Sequence, residues 1–342
     1  MRLMEISVTD AAQKYLTPYK LGRPVLTGSG QAGTFDALAV DCPFTFYHNG
    51  RFHMMYVGFD GTGYQTGLAV SDDLISWRRK GPILKRDDHV GWDRVGAAGT
   101  WILKSTNSIW DLPTLKKVDG KYWMVYHSYP EEGYEAGPAQ IGLAWSEDPE
   151  LMEWHRLPEP VFSWKDGADW ECGGLYKACL IQANGRYYLF YNAKNAKPKG
   201  WIEQIGVAES GDLLKWRRYE GNPIVKVSEG RWDSQFCADP YVARDEDRWL
   251  MFYYGFNRRH AQDGIAFSDD LYSWVKHPEP ILTNGREGEI DHSYAHKPSV
   301  LCHDGVLYHF YCACRKYREG DPVKSLWEEF RTITFASSRP IA

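Results

Sequence analysis

PFTFYHNGRFHMMYVGFDGTGYQTGLAVSDDLISW, residues 43–77, holds the unit from which the rest of the chain is built. A proline leads into an apolar run, His48-Asn49-Gly50 turns the chain, and a second apolar run begins at Phe52, nine residues after the proline. Asn-Gly between two apolar runs predicts a tight hairpin, because its two central positions need residues that tolerate positive φ. The same order recurs with Pro113 before Tyr122, Pro240 before Trp249 and Pro298 before Leu307, and with Ala178 in place of the proline before Tyr187. Asp119-Gly120, Asn184-Gly185, Asp245-Glu246-Asp247 and Asp304-Gly305 stand at the corresponding turns.

A second half-unit follows the first four runs: GLAVSDDLISW (67–77), GLAWSEDPELMEW (142–154), GVAESGDLLKW (206–216) and GIAFSDDLYSW (264–274), each with a Pro-apolar tail. Each copy therefore encodes four short strands. A four-stranded unit repeated five times predicts an all-β, five-bladed β-propeller occupying residues 1–342 as a single domain. The fifth copy ends at ITFASSRPIA without an outer strand, whereas TPYKLGRPVL (17–26) matches SWRRKGPIL of the first copy. The N-terminal segment is expected to supply the outermost strand of the last blade and close the ring, leaving no free edge there.

Composition narrows the function. The net charge is -5, and Lys and Arg are scattered rather than gathered into a stripe, which argues against nucleic acid. MRLMEISVTDAAQKYL lacks the apolar run of a leader segment, and no stretch of 18 apolar residues occurs, so the reading is a cytoplasmic protein without a membrane partner. The seven cysteines are odd in number and Cys312 and Cys314 are wrongly spaced for a zinc knuckle; they read as reduced core thiols. Aromatics reach 15%, with 15 Trp and 22 Tyr, supplying strand packing and flat faces for stacking on sugar rings.

The tight turns share one face of such a ring, and the variable loops (59–66, 127–140, 192–204, 255–263) share the other, where binding is expected. The connection into the second copy, Pro82 to Pro113, is the longest, and its GWDRVGAAGTW is expected to roof part of the mouth. The position two before each anchor opens the innermost strand and should face the central funnel; it holds Asp41, Asp111, Tyr176, Ala238 and His296. The next position holds Cys42, Leu112, Lys177, Asp239 and Lys297. Two carboxylates at equivalent places in adjacent blades suggest chemistry, since like charges repel; alternatively they cap backbone amides at strand starts.

VDCPFTFYHNGRFHMMYVG, WDLPTLKKVDGKYWMVY and WECGGLYKACLIQANGRYYLFYNA resemble the five-bladed glycoside hydrolases of the arabinofuranosidase/xylosidase type (family 43) and the invertase type (family 32). The resemblance implies Asp41 as base or nucleophile, Asp111 as orienting residue and Glu171 as proton donor. The repeat offers another reading of Glu171: it lies seven before its anchor, where other copies carry Asp36, Asp233 and Asp291, and so reads equally as a structural carboxylate at strand entry. In that case His296, Asp239 or Tyr176 is placed to give the proton. The resemblance also implies a possible calcium ion near His296; otherwise no metal or cofactor is required. Trp110, Trp170 and Trp201 are candidate sugar platforms, with core packing as the alternative. Lys177 and Lys297 suggest an acidic or phosphorylated sugar, or balance the Asp charges. The partner so implied is an oligosaccharide, hydrolysed by carboxylate acid/base chemistry. A glycoside phosphorylase on the same scaffold and a non-catalytic glycan-binding propeller are the competing readings.

Overall fold

The computed structural model of the protein describes residues 11–86 and 91–341. The first ten residues, read above for a leader segment, and part of the Pro82–Pro113 connection lie outside the described residues.

The chain is all-β. Its strands form successive antiparallel meanders in sequence order, the first from Ala39–His48, Arg51–Phe59, Tyr64–Ser71 and Arg78–Leu84. The anticipated turns form, with positive φ at both central residues of Asn49-Gly50, Asp119-Gly120, Asn184-Gly185 and Asp304-Gly305. They join the first two strands of their meanders except for Asp119-Gly120, which joins a short strand, Lys117–Val118, to Lys121–Ser128. The second half-unit folds identically wherever it occurs. Its aspartate caps the following turn, its leucine takes a positive φ, and the indole Nε1 of Trp77, Trp154, Trp216 and Trp274 donates to that leucine's carbonyl at 2.8–2.9 Å.

Innermost strands of different meanders are tied together. Thr45 N donates to Ser299 Oγ at 2.9 Å, Thr100 Oγ1 to Ala178 O at 2.8 Å, Val242 N to Cys179 Sγ at 3.4 Å, and Tyr241 Oη to Val300 O. Phe44 and Trp101 meet between the first and second meanders, with ring centroids 4.8 Å apart. The last long strand, Glu329–Ser337, pairs on its outer side with Tyr19–Lys20 and Leu26–Thr27, so the N-terminal segment supplies the outer edge as the sequence predicts.

A buried carboxylate locks each meander. Asp36, Asp93, Glu171, Asp233 and Asp291 accept from the hydroxyls of Tyr56, Tyr126, Tyr191, Tyr253 and Tyr311 on the second strands. Each also meets a cation on the outermost strand: Arg79 at 2.8 Å, Arg156 at 3.4 Å, Arg218 at 2.9 Å, Lys276 at 2.6 Å and Lys20 at 2.5 Å. The last of these cations comes from the N-terminal segment, so this lock joins that segment to the last meander.

The second meander departs from the sequence reading. Its innermost strand is Ala98–Ile102, which begins within the GWDRVGAAGTW stretch expected to roof the mouth, and Ala98 pairs with His127 as Asp41 pairs with Val57. The extra residues come after this strand. Residues 103–116 leave the sheet and return, their carbonyls and amides bonding to Tyr47 and Arg244 at the turn end of neighbouring inner strands. The insertion thus packs against the turn face instead of covering the mouth. No helix among the described residues is long and apolar enough to cross a membrane.

Candidate active site

Each innermost strand carries a bulge just after its entry, where it holds one residue more than the partner strand; in all but the second, two residues face one. The bulges swing Cys42, Lys177, Asp239 and Lys297 toward the common axis. These four residues, with Tyr176 and Ala98, line an inner chamber whose walls are completed by His127, Asn192, Tyr254, Tyr64, Tyr129, Glu135 and Glu203. About 410 Å³ of space lies between its atoms. Lys297, Tyr254 and Glu135 also border an outer cleft of about 740 Å³, walled by Trp201, Phe236, Phe256, Tyr294 and Trp327 and floored by His296 and Arg331.

Glu203 opens the third strand of its meander and is buried. Asn192 Nδ2 donates to its Oε2 and Trp201 Nε1 to its Oε1, both at 2.9 Å. Burial raises its pKa, Lys194 and these donors oppose the rise, and the Glu135 charge adds to it. Glu135 comes from the loop between the second and third strands of the second meander. Its Oε1 accepts from Tyr64 Oη at 3.3 Å and lies 4.0 Å from Lys297 Nζ, with about a third of its side chain open to the cleft.

Asp41 is buried beneath these groups and lines neither chamber. Its Oδ2 meets Lys297 Nζ at 2.8 Å and Arg331 Nη1 at 3.1 Å, and its Oδ1 accepts from the Cys42 amide. Burial opposes ionisation, but the Lys297 and Arg331 charges outweigh it and hold the carboxyl well below the usual range. Asp239 has the opposite balance: burial pushes it up to about 7 despite Lys297 and Lys177. His127 is driven down to about 3 and His296 well below its usual range, both chiefly by burial and then by neighbouring cations, so both rings are neutral at pH 7.

The raised pKa of Asp239 has a consequence for stability. Between its unfolded value near 3.8 and about 7, only the folded state holds the proton, so stability falls as pH rises through that window and is level above it. Asp239→Asn is expected to match the wild type at pH 4 and exceed it by a few kcal/mol at pH 8 in chemical denaturation.

Several residues singled out from the sequence are placed elsewhere. Asp111 is exposed in the turn-face insertion, where Thr106 Oγ1 donates to it at 2.9 Å; Pro113 mimics the anchor motif, but Thr100 occupies the anchor place. Asp41 and Asp111 therefore do not share a cavity. Trp110 lies on the same insertion, stacked on Tyr15 at 6.2 Å. Trp170 stacks on Tyr191 at 6.0 Å in the body of its meander. Glu171 is the third lock carboxylate, fully buried between Tyr191 and Arg218. Glu171→Gln is expected to cost about 2–3 kcal/mol by weakening a buried pair, yet to leave turnover per folded molecule unchanged, as denaturation and kinetics on one preparation would show. Tyr176, Lys177, Asp239 and Lys297 line the inner chamber, and His296 and Trp201 the outer cleft.

Calcium does not suit the place of His296. Its Nε2 lies 3.5 Å from Arg331 Nη1, and Lys297 is adjacent in sequence, so two fixed cations already occupy the position. Among the described residues no group of three or more His, Cys, Asp or Glu side chains is gathered for a metal ion.

Glu135, Glu203 and Arg331 were not among the residues singled out. A signal for two of them exists in the repeat. Strand pairing places Tyr64, Ala139, Glu203, Ala261 and Arg331 at one equivalent position, so the only two charges there both face the site. Glu135 lies in a loop without counterparts, where no repeat can mark it.

An all-β chain of locked four-stranded meanders around an axial carboxylate pocket has the propeller-type fold of glycosidases. The model described as the glycosyl hydrolases family 32 N-terminal domain matches residues 102–292, more than half of the chain, and the chain belongs to that family. The solved structure of a BT0996 RGII complex superposes with a TM-score of 0.82 at 29% identity, covering 98% of this protein and 95% of that one. A thermostable family-43 glycoside hydrolase shares the fold, with a TM-score of 0.62 at 19% identity over 94% of this protein and 96% of that one. The β-1,2-mannobiose phosphorylase of Thermoanaerobacter sp. (strain X514) is 29% identical over 133 residues, 35% of this chain. That match spans less than half of the relative's length, 43%.

Proposed function

We propose that this protein hydrolyses the glycosidic bond of a sugar seated in the inner chamber, with Glu203 as proton donor and Glu135 as base or nucleophile. The observation that carries this reading is that both carboxyls line the inner chamber, near enough for the Glu135 charge to act on Glu203; Glu203 is buried with its pKa raised, and Glu135 also borders the outer cleft and is about a third exposed. Glycosidic cleavage needs such an unlike pair: an acid for the leaving oxygen and a carboxylate to activate water or attack the anomeric carbon. Asp41 is then a positioning residue that fixes Lys297 and Arg331 rather than the base. Trp201 and Trp327, 43% and 65% exposed at the outer cleft, offer faces to the departing part of the substrate.

The meanders are read as five blades of a ring closed by Tyr19–Lys20 and Leu26–Thr27, a reading supported by the five carboxylate locks and the contacts between successive innermost strands. Similarity to the BT0996 RGII complex makes RGII the first substrate to test, beside a panel of aryl glycosides. Release of a sugar by the wild type supports the reading, and no release from any member of the panel counts against it. Similarity to a phosphorylase keeps phosphorolysis as the second reading, which turnover that depends on added phosphate would establish.

A further inference from the structure

We infer that Lys177 Nζ and Asp239 Oδ2 form a fork that grips neighbouring hydroxyls of a neutral sugar at the floor of the inner chamber and thereby sets which sugar the protein accepts. The class of ligand rests on the glycosidase reading; the fork rests on the geometry. Lys177 and Asp239 are 5% and 4% exposed, both line the chamber, and Nζ and Oδ2 have no hydrogen-bond partner. The other axial cation, Lys297, is held by Asp41. Lys177 is near enough for its charge to act on Asp239, yet no hydrogen bond joins the two.

The backbone points the same way. Cys42, Lys177, Asp239 and Lys297 have φ of 49°, 24°, 54° and 67°, a region that L-residues enter at a cost of about 1 kcal/mol or more each. The second meander has Gly99 beside its strand entry and does without a side chain, so the fold itself does not demand one. Strained side chains that leave buried polar atoms unmatched are retained where a ligand completes them.

Chemistry selects the ligand. A group between Nζ and Oδ2 must accept from one and pair with the other. A hydroxyl does both. A phosphate or carboxylate would meet Asp239 and the nearby Glu203, and a cation would meet Lys177 and Lys297. With its pKa near 7, Asp239 can serve as acceptor or donor.

The test is equilibrium binding of free arabinose, xylose, galactose, glucose, mannose and fructose by calorimetry or ligand-detected NMR, then of monodeoxy forms of the best binder. Wild type, Lys177→Met and Asp239→Asn are compared, with circular dichroism to verify folding. Loss of one hydroxyl is expected to weaken wild-type binding about 10- to 100-fold, each substitution to do likewise for the parent sugar, and the deoxy form to lose little more in the variants. Wild-type affinity in both variants, deoxy penalties unchanged by the substitutions, or no sugar bound by the wild type would overturn the fork. So would inorganic phosphate that binds the wild type, is lost in Lys177→Met and tightens in Asp239→Asn. Should the variants not fold, a crystal structure of the wild type with the bound sugar decides, by whether its hydroxyls reach Nζ and Oδ2. If the sugar results hold but Glu203→Gln still hydrolyses, the fork stands and the catalytic assignment falls.

Discussion

Glu203→Gln is expected to lower the hydrolysis of glycosides with poor leaving groups by about a thousandfold or more, the scale of removing a general acid. The amide keeps the size of Glu203 and preserves acceptance from Trp201 or Asn192, so the fold should survive. A dinitrophenyl glycoside of the same sugar leaves without protonation, and on it the variant should approach wild-type rate. Glu135→Gln should lose both substrates alike, because the attacking carboxylate is needed whatever the leaving group. The pH profile has a defined sign: burial raises the pKa of Glu203, so the donor stays protonated to higher pH, and kcat/KM should fall as pH rises through that value. Equal losses on both substrates in Glu203→Gln would remove Glu203 from the donor's role.

Asp41→Asn should show its largest effect on stability. The substitution leaves Lys297 and Arg331, both buried, without their common counter-charge, and breaking a buried pair in this way costs about 3–5 kcal/mol. The native carboxyl is held below its unfolded value, so its contribution is present above the unfolded pKa and is lost only as pH falls through the native one. The gap between variant and wild type in chemical denaturation should therefore be full at pH 7 and close only in strong acid. A variant as stable as the wild type but inactive would make Asp41 a reacting group instead of a positioning one.

The repeat made the meanders, the hairpins and the N-terminal outer strand legible because each rests on local sequence: turn formers between apolar runs, a recurring Trp-ended half-unit, and the match of TPYKLGRPVL to SWRRKGPIL. It failed in the second copy because Pro113 with Asp119-Gly120 copies the anchor and turn of the other units. A better marker was present. Asp36, Glu171, Asp233 and Asp291 each lie five before the funnel residue, and Asp93 of GWDRVGAAGTW sets Ala98 in that place. The same register makes Glu171 a lock, a role that depends on Arg218 and Tyr191 from other strands. Lys177, Asp239 and His296 were found because their positions before the anchor repeat. Glu135 was not, since only the folded loop brings it beside Lys297.

The pairing of Tyr19–Lys20 with Glu329–Ser337 also orders the birth of the molecule in time. Lys20 waits for Asp291, 271 residues later, and the outer strand waits longer still. At roughly 5–20 residues per second, a ribosome needs on the order of tens of seconds to cover that distance. Throughout it the first segment emerges without its partner, while each inner meander has all its own strands once its stretch has been made. Synthesis should therefore yield a nearly finished particle with one late docking event, and the final strand, rather than the first, sets when the edge is covered.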